Sequence, residues 1–401
     1  MKKIVPFILT LLSALVFWVV EPYGNNPLYQ PSLPSAKSSL DFNCATDLQD
    51  IRDKANSVLD KHMLSGDFLG VSTGFFKENC GSLTVSSGYR DKRNQVEFKP
   101  NTITRIASIT KTMTAVAIMQ LYEKGEIDLD APIQAYLPTF PRGTNPVTIR
   151  HILNHTSGIP HYESKFDAMS FSHYASLKLA TEEVYKRGLI NSPGEKYVYS
   201  SFGYTILGSV IEQVTKENFE DYLRKNIWQK SGMKNTSLEK SHLQKNKSRL
   251  YIKVGGIFIR SPYTDLSIIY PAGGVQSTVQ DLLKFGKAIL ENQLISRKTL
   301  EIMIDASDSL APETGDDPYG LGWSVFEHPE YGKIISHGGA QPGASAQFQI
   351  LLDKNVVSVA LSNAFGTKNS IRNLAFSMGK LGVSIQAHNN HIQPTAKAVA
   401  D

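Results

Sequence analysis

The chain has 401 residues, 41% hydrophobic and 20% charged, an ordinary globular composition long enough for two or three units or one large two-lobed enzyme. Its net charge of +5 is spread along the chain. Basic clusters such as Lys240–Arg249 are short and lack interleaved aromatics, so no nucleic-acid partner is expected.

At the N-terminus, Lys2 and Lys3 precede an apolar run from Ile4 to Val20. Basic residues stay on the cytoplasmic side, so the body of the protein should be exported to an extracytoplasmic space such as the periplasm. No small-x-small cleavage site follows the run, so residues 1–21 read as a membrane anchor, with secretion the alternative if the segment is cut. Residues 22–45, with Pro22, Pro27, Pro31 and Pro34, read as an extended linker. The cysteines, Cys44 and Cys80, leave a disulfide and two separate buried thiols equally open.

Thr46 and Gln49 make a capping-box start for an amphipathic helix reaching about Met63. "FLGVSTGFFK" and "LTVSSGYR" read as two strands joined at Asn79-Cys80-Gly81. From Ser108 to about Ala306 helical patterns dominate, and then strand signals return in "GWSVFEH", "KIISHGG", "AQFQILLD" and "VVSVALSN". Early and late strands around a helical middle predict a two-lobed α/β (α+β) fold: one antiparallel sheet flanked by helices, with an inserted all-α lobe. The folded domain would span residues 46–385, leaving 386–401 as a polar tail.

Three arrangements compete to carry chemistry. Gly70-Val-Ser72-Thr-Gly74 matches G-x-S-x-G, but a nucleophile elbow needs a strand, a turn and then a helix, and here a second strand follows. His151 and His155 have the i, i+4 spacing of a zinc pair, but Ile152 stands where a metalloprotease helix carries Glu, so helix-end and turn packing is expected. The third is Ser108 with Lys111. A helix brings i and i+3 onto one face, so the amine can reach the hydroxyl. The following residues Ile109, Met113, Val116, Ala117 and Leu121 would bury the amine and lower its pKa, a poor setting for a solvated lysine and a good one for activating a nucleophile.

A Ser–Lys pair needs a proton shuttle and an oxyanion site. Tyr199, in Tyr-x-Ser before a helix, can act as a base if neighbouring cations lower its pKa. His337-Gly-Gly supplies glycines that let a strand edge approach a substrate closely.

In order and spacing these elements resemble the penicillin-recognising serine hydrolases. Within them they are similar to the class C β-lactamase branch, which also holds D-alanyl-D-alanine carboxypeptidases, esterases and D-amino-acid peptidases. "RIASITK", "SGIPHYE" and "YVYSSFGYTIL" are especially similar to the animal mitochondrial serine β-lactamase-like proteins and their bacterial relatives. The resemblance implies Ser108 as the acylated nucleophile, Lys111 as its activator and Tyr199 as the proton shuttle. It also implies substrate contacts from Ser201, His337, Gly339 and Ala340, with the N–H groups of Ser108 and Ala340 as oxyanion donors. Ser201 stands where many relatives have an amide, and His337, expected to be only partly charged at neutral pH, where many have lysine. The expected activity is therefore peptide or ester hydrolysis more than dedicated β-lactam hydrolysis, with no metal or organic cofactor. The rival expectation is a catalytically weak binding or assembly protein. Substrates would be small molecules or peptides, the N-terminal segment would meet the membrane, and the oligomeric state stays open.

Overall fold

Residues 32–44, 47–143, 145–163, 170–239, 245–307, 310 and 317–385 are described by the structure, a computed structural model. The anchor, the first part of the linker and the polar tail lie outside the described residues. Among those described, no helix is long and apolar enough to cross a membrane.

The chain opens with β1 (Lys37–Phe42), α1 (Leu48–Met63), β2 (Gly70–Lys77), β3 (Gly81–Asp91), β4 (Val96–Glu97) and β5 (Thr104–Arg105). The middle runs through α2 (Thr110–Glu123), α3 (Ile149–Leu153), α4 (Leu177–Tyr185), α5 (Ser201–Thr215) and α6 (Phe219–Leu223). Short strands β6 (Ser237–Leu238), β7 (Tyr251–Val254) and β8 (Ile257–Arg260) follow, then α7 (Tyr270–Gly273), β9 (Val275–Ser277), α8 (Val279–Leu290) and α9 (Arg297–Ile304). The return is β10 (Ser324–His328), β11 (Gly332–Gln341), β12 (Ala344–Leu351), β13 (Val356–Ser362), β14 (Ala364–Phe365) and α10 (Lys368–Ser384).

The main sheet runs β1-β3-β2-β13-β12-β11-β10, with β4 on the side of β3. Every pairing in it is antiparallel. Early and late strands meet where β13 pairs with β2, Leu361 facing Ser72. Both faces are covered, so β12 and β13 are buried along their whole length. Phe75 and Val356 point into one core with Ile51, Leu59, Leu374 and Met378, while Phe76 and Val357 point into the other. The second and larger core includes α2 and α5. α2 is buried on all sides from Thr110 to Leu121, so it is the axis of the molecule and not a surface helix.

Several expectations need correction. The cap of α1 is Asp47, whose Oδ1 accepts from the N–H groups of Gln49 at 2.9 Å and Asp50 at 3.2 Å; Thr46 lies outside the described residues. Residues 37–42, read as linker, form the edge strand β1, because Ser38–Phe42 alternate half-buried and exposed beside β3. The helical middle also holds two small three-stranded sheets, β5-β9-β6 and β7-β8 with β14. Strands of two to four residues are too short to show a period. The helix after Ser108 begins as a 3-10 turn over Ala107–Ile109, and α2 proper starts at Thr110.

Cys44 and Cys80 are joined in a disulfide, which settles the open alternative. It ties the end of β1 to the β2–β3 turn, at the edge of the sheet remote from β11. With the half-cystines at a sequence separation of 36, closing that loop in the unfolded chain corresponds to roughly 4 kcal/mol. Cys44→Ser, or reduction, is expected to lower the unfolding free energy by up to that amount and leave turnover nearly unchanged. Denaturant titration and initial rates on the same sample check both halves; a large loss of rate in the folded state would contradict it.

Candidate active site

The backbone that presents Ser108 is held from several directions. β5 pairs with β9, and Ile106 N–H donates to the Val275 carbonyl at 3.2 Å. Arg105, just before the turn, is buried; its Nε meets Glu239 Oε2 at 2.6 Å and its Nη1 donates to the Pro342 carbonyl at 2.9 Å. Burial alone would push the Glu239 carboxyl up, but Arg105 and Lys247 hold it below its usual value, so it stays charged. One guanidinium thus links the strand before Ser108 to the far end of β11. Ala107 has φ 48°, an unfavourable left-handed value for a residue with a Cβ. Thr110 Oγ1 donates to the Ala107 carbonyl at 2.7 Å and helps hold that turn.

Lys111 projects from the first turn of α2 into this corner and is fully buried. Its Nζ lies 3.2 Å from Ser108 Oγ, 3.1 Å from Ser201 Oγ and 3.0 Å from the Ala272 carbonyl. The rings of Tyr199 and Tyr204 stand 4.9 and 5.6 Å away. Burial drives the Lys111 pKa well below 10.5, and no carboxylate offsets it. A neutral amine has two N–H bonds and one lone pair. The Ala272 carbonyl can only accept, so one N–H is committed to it, and the lone pair is free to face the Ser108 hydroxyl.

Tyr199 precedes α5 and is half-buried in the cavity wall; its hydroxyl hydrogen-bonds Ser108. Burial pushes its phenol up, opposite to the lowering expected from nearby cations. The group is a neutral phenol that donates, not a phenolate. Ser200 caps α5, accepting from Gly203 N–H at 2.9 Å and donating to the Pro160 carbonyl at 2.8 Å.

The histidine pair has a packing role. His155, with φ 63°, accepts from Ser200 N–H on Nδ1 at 3.1 Å, and its ring lies 4.3 Å from that of Tyr199. His151 Nδ1 accepts from Thr148 N–H within the cap of α3. His161 Nδ1 accepts from Ser201 N–H at 3.2 Å. Two imidazoles from one loop therefore pin the Tyr199–Ser201 segment. Among the described residues, no group of three or more His, Cys, Asp or Glu converges as a metal site would. Ser72 lies inside β2 with its hydroxyl on the Val85 carbonyl at 3.3 Å.

His337 differs from the expectation of a partly charged group. Its Nδ1 lies 2.7 Å from the Gly338 carbonyl and its Nε2 2.9 Å from the Tyr319 hydroxyl. The carbonyl can only accept, so Nδ1 carries the proton and Nε2 accepts from tyrosine. Burial lowers its pKa to about 3, leaving it uncharged near neutrality. Tyr319, Ala272, His155 and His161 were not singled out from sequence as parts of this site. "YGLGW", "YPAGG" and "HTSGIPH" are where they sit.

β10 pairs with β11 only as far as Ser336, so the edge from His337 to Gln341 is open on that side. Gly339 faces the nucleophile turn, and a Cβ there would collide with the Ile106 carbonyl oxygen. Between this edge and the Tyr199 segment lies a cavity of about 470 Å³ that includes Ser108, Tyr199, Ser201, His337, Gly339 and Ala340 in its walls. All the expected site residues except Lys111, which is buried behind Ser108, line that one cavity.

The Beta-lactamase family model matches residues 55–377. Penicillin-binding protein 4* of Bacillus subtilis (strain 168) is 29% identical, covering 76% of this chain and 69% of its own length. The mitochondrial serine beta-lactamase-like protein LACTB of Homo sapiens is 25% identical, covering 90% of this chain and 81% of its own. Among solved structures, the octameric penicillin-binding protein homologue from Pyrococcus abyssi is 25% identical with a TM-score of 0.69, over 80% of this chain and 75% of that one. The D-amino acid amidase from Ochrobactrum anthropi SV3 shares the fold, with 23% identity and a TM-score of 0.73 over 81% of this chain and 97% of that one. With the nucleophile turn, buried lysine and tyrosine all inside the matched segment, the chain belongs to the beta-lactamase family of serine hydrolases.

Proposed function

We propose that the protein hydrolyses peptides or esters through an acyl-enzyme on Ser108, on the outer face of a membrane to which residues 4–20 tether it. The observation that carries this reading is the fully buried Lys111 amine 3.2 Å from the Ser108 hydroxyl, where burial drives its pKa well below the usual value and favours the neutral form. A disulfide fits an oxidising, extracytoplasmic setting.

In this mechanism the Lys111 lone pair takes the Ser108 proton as Oγ bonds to the substrate acyl carbon. The N–H groups of Ser108 and Ala340 would hold the developing oxyanion, a role supported by the open β11 edge and by Gly339 packing on the Ile106 carbonyl. As the tetrahedral species collapses, the bond to the leaving nitrogen or oxygen breaks. That atom takes a proton from the Tyr199 phenol, which regains one from the Lys111 ammonium. Water then attacks the ester, giving up its proton along the same route, and Ser108 leaves reprotonated. The directions of both pKa shifts favour this division: a neutral amine to accept, a neutral phenol to donate.

Neutral His337 gives a substrate carboxylate no charge to meet, with both ring nitrogens already bonded. β-Lactam antibiotics carry such a carboxylate, so peptidase or esterase action is favoured over dedicated β-lactam turnover. Nitrocefin should be a poorer substrate by kcat/KM than p-nitrophenyl acetate or a D-Ala-D-Ala peptide. Nitrocefin turnover near the diffusional ceiling would overturn that ranking.

The nucleophile is tested by labelling with a fluorescent phosphonate and mapping the modified peptide. Ser108→Ala should abolish the adduct and Ser72→Ala should not. Tyr199→Phe and Lys111→Ala should each lose at least about a hundredfold in turnover while folding normally. Near-normal activity in either variant would refute its assigned role.

The three site histidines also set a pH dependence of stability. His155, His161 and His337 are all depressed by burial, the latter two to about 4 and about 3. Each stays neutral in the fold yet charges in the unfolded chain below about 6.5, so its contribution is complete above that pH. It is lost progressively as pH falls toward the folded values. A group in that window gives a slope of up to about 1.4 kcal/mol per pH unit. Tm should therefore drop between pH 7 and pH 5, and a flat profile would contradict the neutral assignments.

A further inference from the structure

Several polar side-chain atoms around Ser108 are already engaged. Ser201 Oγ is engaged by Lys111, both nitrogens of His337 are bonded, the Tyr319 hydroxyl serves His337, and Gln341 Nε2 donates to the Gly273 carbonyl at 2.9 Å. His161 also lines the cavity, and its Nδ1 is an obligate acceptor because its partner is the Ser201 backbone N–H. An imidazole that accepts on Nδ1 and is neutral carries its proton on Nε2. Burial keeps this ring neutral across the physiological range. That Nε2–H has no hydrogen-bond partner among the described residues. The ring is held edge-on to Tyr199, with centroids 5.3 Å apart, and lies 4.1 Å from that of Tyr162. A donor with a fixed tautomer and orientation thus sits on the cavity wall beside the proton-donating phenol.

We propose that His161 is a specificity-determining residue whose Nε2–H donates to a second carbonyl oxygen of the substrate, one beside the scissile acyl group. This rests on the acyl-enzyme reading above and narrows its substrate class. Peptides and N-acylamino esters carry such a neighbouring carbonyl; simple alkyl esters do not. A site that offers a fixed donor discriminates against a substrate lacking the acceptor, because the donor is then left unsatisfied in the closed complex. Geometry carries the assignment: the Ser201 N–H fixes which nitrogen bears the proton, and the cavity wall fixes what it can meet.

The test compares N-acetylglycine p-nitrophenyl ester, which has the second carbonyl, with p-nitrophenyl acetate, which lacks it, in the native protein, His161→Asn and His161→Gln. His161→Asn leaves an amide oxygen near the place of Nδ1 to accept from the Ser201 N–H and removes the donor at the place of Nε2. It should lose roughly 10- to 100-fold in kcat/KM on the acylamino ester and less than about threefold on the acetate. His161→Gln, which restores an N–H donor, should recover part of the selectivity. Equal losses on both esters would reduce His161 to a support for Ser201 and overturn the proposal, as would no loss on either. Phosphonate labelling of Ser108 in the native protein separates the two levels. If Ser108 labels and selectivity does not move, only the role of His161 fails; if Ser108 does not label, the acyl-enzyme reading fails with it.

Discussion

The desolvation of one lysine organises this molecule. An ammonium buried without a carboxylate costs several kcal/mol, so burial drives the pKa at position 111 well below its usual value and favours the neutral amine. That outcome requires α2 to run through the middle of the protein and not along its surface. It also requires small, uncharged partners for the amine, and Ser108, Ser201 and the Ala272 carbonyl supply them. The three come from three segments: the nucleophile turn, the start of α5 and α7. The position of each of these segments is thus constrained by a single nitrogen atom. Burying the amine also favours the neutral form with a free lone pair, so the packing bears directly on the chemistry proposed for it.

The neighbours repeat the pattern. His155, His161 and His337 are neutral for the same reason as Lys111, and each uses its one acceptor nitrogen on a specific donor: Ser200 N–H, Ser201 N–H and the Tyr319 hydroxyl. A cationic imidazole could accept none of these bonds. An additional positive charge beside Lys111 would be repelled if the amine became protonated during the reaction, whereas neutral rings stabilise that transient ammonium at less cost. Net charge is kept at the periphery. Arg105 is balanced by Glu239, and Arg372 at the cavity wall is paired with Asp317 at 2.9 Å.

What could be read from sequence follows the range of each interaction. Ser108 and Lys111 are three residues apart, so helical geometry alone brings them together, and these sheet strands, seven to eleven residues long, are long enough to show as strand signals. The contact of Lys111 with Ala272 spans 161 positions, and those of His155 and His161 with the start of α5 span 45 and 40. No local pattern encodes them. The charge of His337 and the direction of the Tyr199 shift failed as expectations for one reason: both depend on how much water reaches the group, which residue type does not reveal. α10 is a different case. Its buried Ile371, Leu374, Ala375 and Met378 have a clear helical spacing, but they follow directly on strand signals that dominate the reading of the C-terminal part.

Once the internal commitments are counted, little at the site is left to meet a substrate. Most hydroxyl and ring groups near Ser108 are spent on one another, holding Tyr199 and the nucleophile turn against strain at Ala107 and His155. Rigidity of this kind preorganises the donors and the amine before any substrate arrives, which is where electrostatic catalysis gains most. It also limits recognition to the open edge of β11 and to the few side-chain atoms on the cavity wall without an internal partner. A site built in this way can keep its acyl-transfer chemistry while its substrate range changes through wall positions alone. That separation accounts physically for how one fold is shared by proteins described as penicillin-binding proteins and as a D-amino acid amidase.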